Sequence, residues 1–198
     1  MMREQLYHLY YSGTDVYDLA PEWTSENKEH FCHDCTRLKL PHSAMDIITN
    51  GRIRKNLDMT IIGHNLIPGA MSYRLLELLG TCARKHLNIG TVYNNVAGNS
   101  TKQPFVTFIS KHKYIVLRGE NPDVFDGIPI PENEREIVCP QCHFQARRER
   151  FPFFLLESEY PDYPICCTNV GLLIYESVYS KIKNNKLIGV RVEKVKIK

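Results

Sequence analysis

Tyrosine is interleaved with leucine and histidine from Gln5 to Tyr11, a segment that reads as an opening β-strand. Gly13 to Glu29 is polar and turn-rich and reads as a segment covering the surface. Met45 to Thr49 and Leu57 to Ile62 are the next apolar runs; Asn50-Gly51 between them predicts a hairpin. From Ala70 the period changes: Met71, Leu75, Leu78, Leu79 and Cys82 recur at helical spacing and predict a helix to about His86, weakened at Gly80.

Leu87 to Tyr93 returns to strand, and Pro104 to Leu117 reads as two strands joined around Lys111-His112. An acidic loop follows, then an apolar strand from Phe151 to Leu156 and a turn at Pro161-Asp-Tyr-Pro164. A short strand holding Cys166 and Cys167 leads to a cap at Thr168-Asn169. Beyond it Gly171, Ile174, Tyr175, Val178 and Ile182 form a second helical stripe, and Lys186 to Val192 closes as a strand.

Two Cys-x-x-Cys knuckles, Cys32-His-Asp-Cys35 and Cys139-Pro-Gln-Cys142, punctuate this pattern at comparable places. Cys32 to Cys139 is an offset of 107 residues, Tyr73 to Tyr175 of 102 and Gly90 to Gly189 of 99. The expected architecture is therefore α+β, with two similar knuckle-strand-helix-strand halves packed as one zinc-stabilised unit over residues 1–198. An internal duplication, about 1–100 and 101–198, would explain the offsets.

With 198 residues, 43% of them hydrophobic and 24% charged, the chain can bury a core without disulfides, and neither long disorder nor a fibrous repeat is expected. The net charge of +3 does not single out nucleic acid as a partner. Charge is unevenly spread. Glu120, Asp123, Asp126, Glu132, Glu134 and Glu136 share one stretch, while Lys181 to Lys198 is strongly basic, so an acidic side and a basic end are expected. The start of the chain lacks the apolar run of a secretory signal, and no stretch approaches the roughly 18 apolar residues of a membrane span. The expected location is cytoplasmic, where seven cysteines, an odd number, point to metal rather than to a disulfide framework.

Zinc needs about four ligands in a tetrahedron, and two cysteines two residues apart can aim both sulfurs at one ion. Either both pairs converge on a single site formed by Cys32, Cys35, Cys139 and Cys142, or each recruits a local ligand among His30, His33 and His143. The shared site is the simpler arrangement, and its closed thiolate shell is that of a structural Zn2+. Cys166 and Cys167, adjacent on a strand, point to opposite faces and do not readily chelate one ion together. No catalytic signature is present: there is no nucleophile elbow and no phosphate loop, and His64 and His112 stand alone. The expectation is a binding protein, not an enzyme.

The opening Leu-Tyr-His-Leu-Tyr strand, the two knuckles, and the ending from Ile165-Cys-Cys-Thr-Asn-Val170 to Lys186-Leu-Ile-Gly-Val-Arg-Val192 resemble the double-CxxCG motif family, immunity proteins of bacterial polymorphic and outer-membrane-exchanged toxin systems. The likeness spans nearly the whole chain. It departs from the family pattern where a glycine is expected after each knuckle: Thr36 and His143 stand there instead. The resemblance implies a protein that sequesters a cognate protein toxin, with zinc as scaffold and the four cysteines as its functional residues. Two rival readings are a zinc-ribbon nucleic-acid binder using Arg147, Arg148, Arg150 and the lysine-rich tail, and an enzyme with a dispersed site.

Overall fold

The computed structural model describes residues 3–37, 45–63, 66–96, 99–168 and 171–198. In chain order the first elements are β1 (Leu6–Tyr11), β2 (Val16–Tyr17), α1 (Pro21–Glu26), β3 (Ile47–Thr49), β4 (Met59–Ile62), β5 (Leu66–Ser72), α2 (Tyr73–His86), β6 (Leu87–Val96) and β7 (Asn99–Ser110). Then come β8 (Arg118–Pro122), β9 (Val124–Phe125), β10 (Ile128–Pro129), β11 (Glu136–Val138), β12 (Gln145–Arg147) and β13 (Glu149–Leu155). The chain ends with β14 (Ile165–Thr168), β15 (Gly171–Tyr175), α3 (Glu176–Ile182) and β16 (Val190–Ile197).

These strands build two six-stranded sheets, β14-β15-β1-β16-β13-β8 and β2-β4-β5-β7-β6-β3. Five strands of each follow the same plan. In one sheet β14, β15, β1 and β16 run antiparallel to their neighbours and β13 joins β16 in parallel. In the other, β4, β5, β7 and β6 are antiparallel and β3 joins β6 in parallel. Helices α2 and α3 each carry the chain over one intervening strand, from β5 to β6 and from β15 to β16.

The expected α+β class is corrected by this arrangement. Strands dominate, the described residues hold three α-helices, and the sheets are not built from contiguous knuckle-strand-helix-strand halves. Strand β1, from the start of the chain, takes in its sheet the place that β7 takes in the other.

Much of the error lies at Gly171 to Tyr175, read as the start of a helical stripe. Leu172, Leu173 and Ile174 are all buried, and a continuous apolar run looks the same in a core helix and in a strand covered on both faces. Here it is a strand. Gly171 lies so close to β1 that an added Cβ would meet the Leu9 carbonyl oxygen at 2.1 Å. The hairpin expected at Asn50-Gly51 is also absent: β3 pairs with β6, and β4 pairs with β5. Of the expected cap at Thr168-Asn169, Asn169 lies outside the described residues.

The largest apolar cluster joins both sheets. Leu9, Met59, Met71, Val106, Phe108, Ile165, Cys167, Leu172 and Ile174 meet Leu75, Leu76 and Leu79 of α2 and Val178 and Ile182 of α3. The helical stripe on α2 is real and begins at a cap: Ser72 Oγ accepts from the Leu75 N–H at 3.0 Å. At Gly80 the helix is kinked, with φ 67°. The opposite face of β7 and β6 buries Phe105 and Val92 with Trp23 of α1, and the opposite face of the β1 sheet buries Leu6, Leu173 and Val195 with Cys166. Adjacent residues on β14 thus serve different clusters, as strand alternation requires.

Candidate metal centre

The first knuckle leaves the turn after α1; the second is the tip of the hairpin formed by β11 and β12. Both fold identically at the backbone. The Thr36 N–H donates to the Cys32 carbonyl at 2.9 Å, and the His143 N–H donates to the Cys139 carbonyl at 2.9 Å. Each loop is closed by the N–H of its first cysteine, Cys32 to the Arg37 carbonyl at 2.7 Å and Cys139 to the Phe144 carbonyl at 2.9 Å. Thr36 and His143 adopt φ 57° and 55°, the left-handed conformation for which glycine would be the usual residue. The departure from Gly therefore leaves the turn geometry intact.

The two loops face each other. Cys32 Sγ lies 3.6 Å from Cys139 Sγ, and Cys35 Sγ lies 3.6 Å from Cys142 Sγ. All four sulfurs fall within 4.8 Å of one another. In a tetrahedral site with metal–sulfur bonds of about 2.3 Å, sulfurs sit roughly 3.8 Å apart, so this cluster is close to the size that one ion requires. The sequence left open a shared site or two local ones. The four thiols converge, and they could hold one metal ion.

The surroundings suit a closed site. Cys32 and Cys139 are buried, and Phe144 packs against them, with Tyr114 alongside. Arg37 lies over the Phe144 ring at 4.2 Å, so the residues that follow the two knuckles also touch. Gln141 crosses between the loops: its Oε1 accepts from Cys32 Sγ and from the His33 N–H, both at 2.9 Å. Backbone N–H groups of Cys142 and Gln141 directed at Cys139 help lower its pKa to about 7, while burial pushes Cys142 up to about 12 and raises Cys35. A metal ion would hold all four as thiolates.

None of the candidate histidines is in the cluster. His33 is exposed with Nδ1 3.5 Å from Asp34, and His30 lies 3.4 Å from Glu29. Of the two isolated histidines, His64 lies outside the described residues, whereas His112 has a partner that the sequence did not reveal. His112 Nε2 sits 2.8 Å from His86 Nδ1, and its ring stacks on Tyr163 with centroids 3.4 Å apart. Burial first, and also the nearby charge of Lys111, lowers the pKa of both histidines.

The expected separation of charge is also revised. Lys196 and Lys198 reach Glu120, Arg150 reaches Asp123, and Arg147 is held by Glu149 and Glu136. The basic tail and the acidic stretch are thus neighbours, and four of the cations in the nucleic-acid reading are already paired.

Sequence reasoning treated the acidic stretch as one loop and missed the element inside it. β9 and β10 form a hairpin in which Phe125 faces Ile128 across a two-residue turn. Asp126 and Gly127 have φ 49° and 80°, the double left-handed turn that Asp-Gly favours. Phe125 is 72% exposed and Ile128 69%, the most exposed large apolar residues among those described. The Asp-Gly pair between apolar residues was the available signal.

Compared with protein-family models, with curated proteins and with solved structures, the chain finds no match. No helix among the described residues is long and apolar enough to cross a membrane.

Proposed function

We infer that the chain is a zinc-braced, cytoplasmic protein that binds and neutralises a cognate protein toxin, as its resemblance to the double-CxxCG immunity proteins implies. Zn2+ suits four converging thiols, since a full tetrahedral sulfur shell is the arrangement of a structural ion and leaves no position for water or substrate. Its role is mechanical: it ties the segment after α1 to the β11–β12 hairpin.

The observation that carries the binding role is the Phe125–Ile128 hairpin. A soluble protein gains nothing in stability from holding two large apolar side chains in water, but an interface uses such residues as anchors. The turn fixes their positions before any partner arrives, which lowers the ordering cost of association. In the same stretch of chain Asp126, Glu132 and Glu134 have no ion-pair partner among the described residues. An apolar anchor with acidic residues in its turn and in the segment that follows fits an apolar pocket beside basic groups, and charge of that kind speeds encounter and rejects wrong partners.

The test is co-expression with a toxin domain encoded beside this chain. Growth should be rescued, the two proteins should co-purify, and Phe125→Ala with Ile128→Ala should abolish both effects without unfolding the protein. No rescue by the unaltered chain would overturn the immunity reading.

A further inference from the structure

The two six-stranded sheets correspond strand by strand. Leu6 of β1 faces Tyr175, the residue before α3, and Phe105 of β7 faces Ser72, the residue before α2. Ile174 of β15 faces Ile165 of β14 as Met71 of β5 faces Met59 of β4. Both sheets are also bridged from one side to the other in the same way. Ile115, just before β8, is parallel to β14 at Thr168, as β2 is parallel to β4. β8 is then antiparallel to β13, as Leu19, just after β2, is to β3 at Thr49.

Strands β1 and β7 are the ones that break sequence order. One sheet takes its other five strands from residues 118–197, the other from residues 16–96. β7 leads the chain into 118–197 yet lies in the 16–96 sheet, and β1 leads into 16–96 yet lies in the 118–197 sheet. The chain thus consists of two like units that have traded their leading strands. Each unit supplies one knuckle to the four-thiol cluster.

Residues 3–11 are held mainly by the unit that receives them. Arg3 pairs with Glu157, the Glu4 carboxylate accepts from the Ser177 N–H at 2.7 Å, and the Gln5 amide donates to the Val195 carbonyl at 2.7 Å. Tyr7 stacks on Tyr179 with centroids 3.9 Å apart, and the Tyr10 hydroxyl donates to Glu193 Oε1 at 2.8 Å. The change from one sheet to the other takes place within residues 12–15. The Ser12 N–H still donates to the Gly189 carbonyl at 3.2 Å, whereas Val16 already pairs with Ile61. Between them the turn folds back, with the Asp15 N–H donating to the Tyr11 hydroxyl at 2.7 Å.

We propose that the slot between β15 and β16 is a self-recognition site, which takes residues 3–11 of a second copy of this chain so that two copies complete each other's sheets. The exchange inside one molecule is the model for it. Passing β1 to a second copy keeps every contact of residues 3–11 and alters only the path of residues 12–15, so the two arrangements differ little in bonding. What favours the closed molecule is proximity: a strand tethered by a short turn has an effective concentration on the order of 1 mM at its own slot. The exchanged pair therefore wins when the protein approaches that concentration, or when the turn is too short to fold back. This surface is separate from the Phe125–Ile128 hairpin, and the proposal does not rest on the immunity reading.

In the full, metal-loaded chain, residues 13–15 are deleted so that Ser12 runs straight into Val16. Light scattering should find twice the mass of one chain, whereas a Gly-Ser insertion at the same place should leave a monomer. The unaltered chain, taken to about 1 mM in mild denaturant and returned to buffer, should yield a dimer that dissociates slowly on dilution. Amide exchange in either dimer should show residues 6–11 as well protected as in the monomer, with differences confined to the turn. A shortened chain that folds as a monomer would overturn the proposal, as would a dimer in which residues 6–11 have lost their protection. If the shortened chain does not fold, an unaltered chain that stays wholly monomeric through the concentrated cycle overturns it equally.

Discussion

Thr36 and His143 hold the same left-handed backbone conformation, φ 57° and 55°, one residue past the second cysteine of each knuckle. For a residue with a Cβ that conformation costs about 1 kcal/mol relative to glycine. His143→Gly should therefore raise stability by roughly 0.5–1 kcal/mol, since its side chain is exposed and helps little in exchange. Thr36→Gly should gain less, because the Thr36 hydroxyl donates to the Cys35 carbonyl at 2.8 Å and that bond would be lost. Urea denaturation of the metal-loaded protein checks both, and a loss of stability in His143→Gly would contradict the account.

Metal content is the next expectation. Purified protein should carry one zinc per chain by elemental analysis, and Cys32→Ser or Cys139→Ser should remove it. Cobalt substituted into the site should show the thiolate charge-transfer band and the strong visible bands of tetrahedral coordination. Metal removal should loosen the knuckles and the β11–β12 hairpin first, because they meet through a small apolar cluster, while the cluster between the sheets has a core of its own. Amide exchange would show this as lost protection confined to those segments. The structural binding energy at stake in isolated zinc peptides is on the order of 10–16 kcal/mol.

How far the sequence reached can be seen at particular residues. The four cysteines were legible because a two-residue spacing dictates what a turn can do with its sulfurs, whatever surrounds it. The stripe on α2 was legible because Leu75 and Leu79 face a core that the helix touches on one side only. Gly171 to Tyr175 was not, since burial on both faces of β15 erases the periodicity that separates strand from helix. Pairing across the chain was equally hidden: nothing near Leu6 announces that β1 lies between β15 and β16.

Asp58 gives a prediction about how the two sheets are joined. Its Oδ1 accepts from Ser72 Oγ at 3.0 Å, and its Oδ2 accepts from the Ile188 N–H at 2.9 Å and from Arg74 Nη1 at 2.7 Å. Ile188 leads into β16 of one sheet, while Asp58 and Ser72 belong to β4 and β5 of the other or flank them. Asp58→Ala would strand the partly buried Ile188 N–H and release the Ser72 cap, and should cost about 2–4 kcal/mol in denaturant unfolding. Asp58→Asn, which keeps an acceptor, should cost less. A change below about 0.5 kcal/mol in Asp58→Ala would show that the junction is held elsewhere.

The Phe125–Ile128 hairpin separates stability from binding. Both side chains are mostly exposed, so Phe125→Ala should alter folding stability by no more than about 0.5 kcal/mol. As an interface anchor it should weaken toxin binding by about 2 kcal/mol, near 30-fold. Reversing charge at Glu132 and Glu134 should act differently, slowing association and reducing its salt dependence with little change in the dissociation rate. Surface plasmon resonance resolves the two effects. Equal losses of affinity and stability would make the hairpin a structural element.

His8 supplies the pH dependence. It is fully buried between Tyr10 and Phe153, with Nε2 3.2 Å from Thr168 Oγ1 and no partner for Nδ1 among the described residues. Burial lowers its pKa from 6.5 to about 3, so the folded protein keeps the ring neutral where the unfolded chain would protonate it. The unfolded state then binds more protons between those values. The stability due to neutral His8 is complete above pH 6.5 and is lost as pH falls toward 3, by up to about 1.4 kcal/mol per unit. Acid also strips thiolate-bound metal, so the wild-type curve alone does not isolate this effect. The difference between wild type and His8→Gln does: because both carry the same four cysteines, the gap between their unfolding free energies should narrow from pH 7 to pH 5. A constant gap would mean that His8 titrates alike in the folded and unfolded chains.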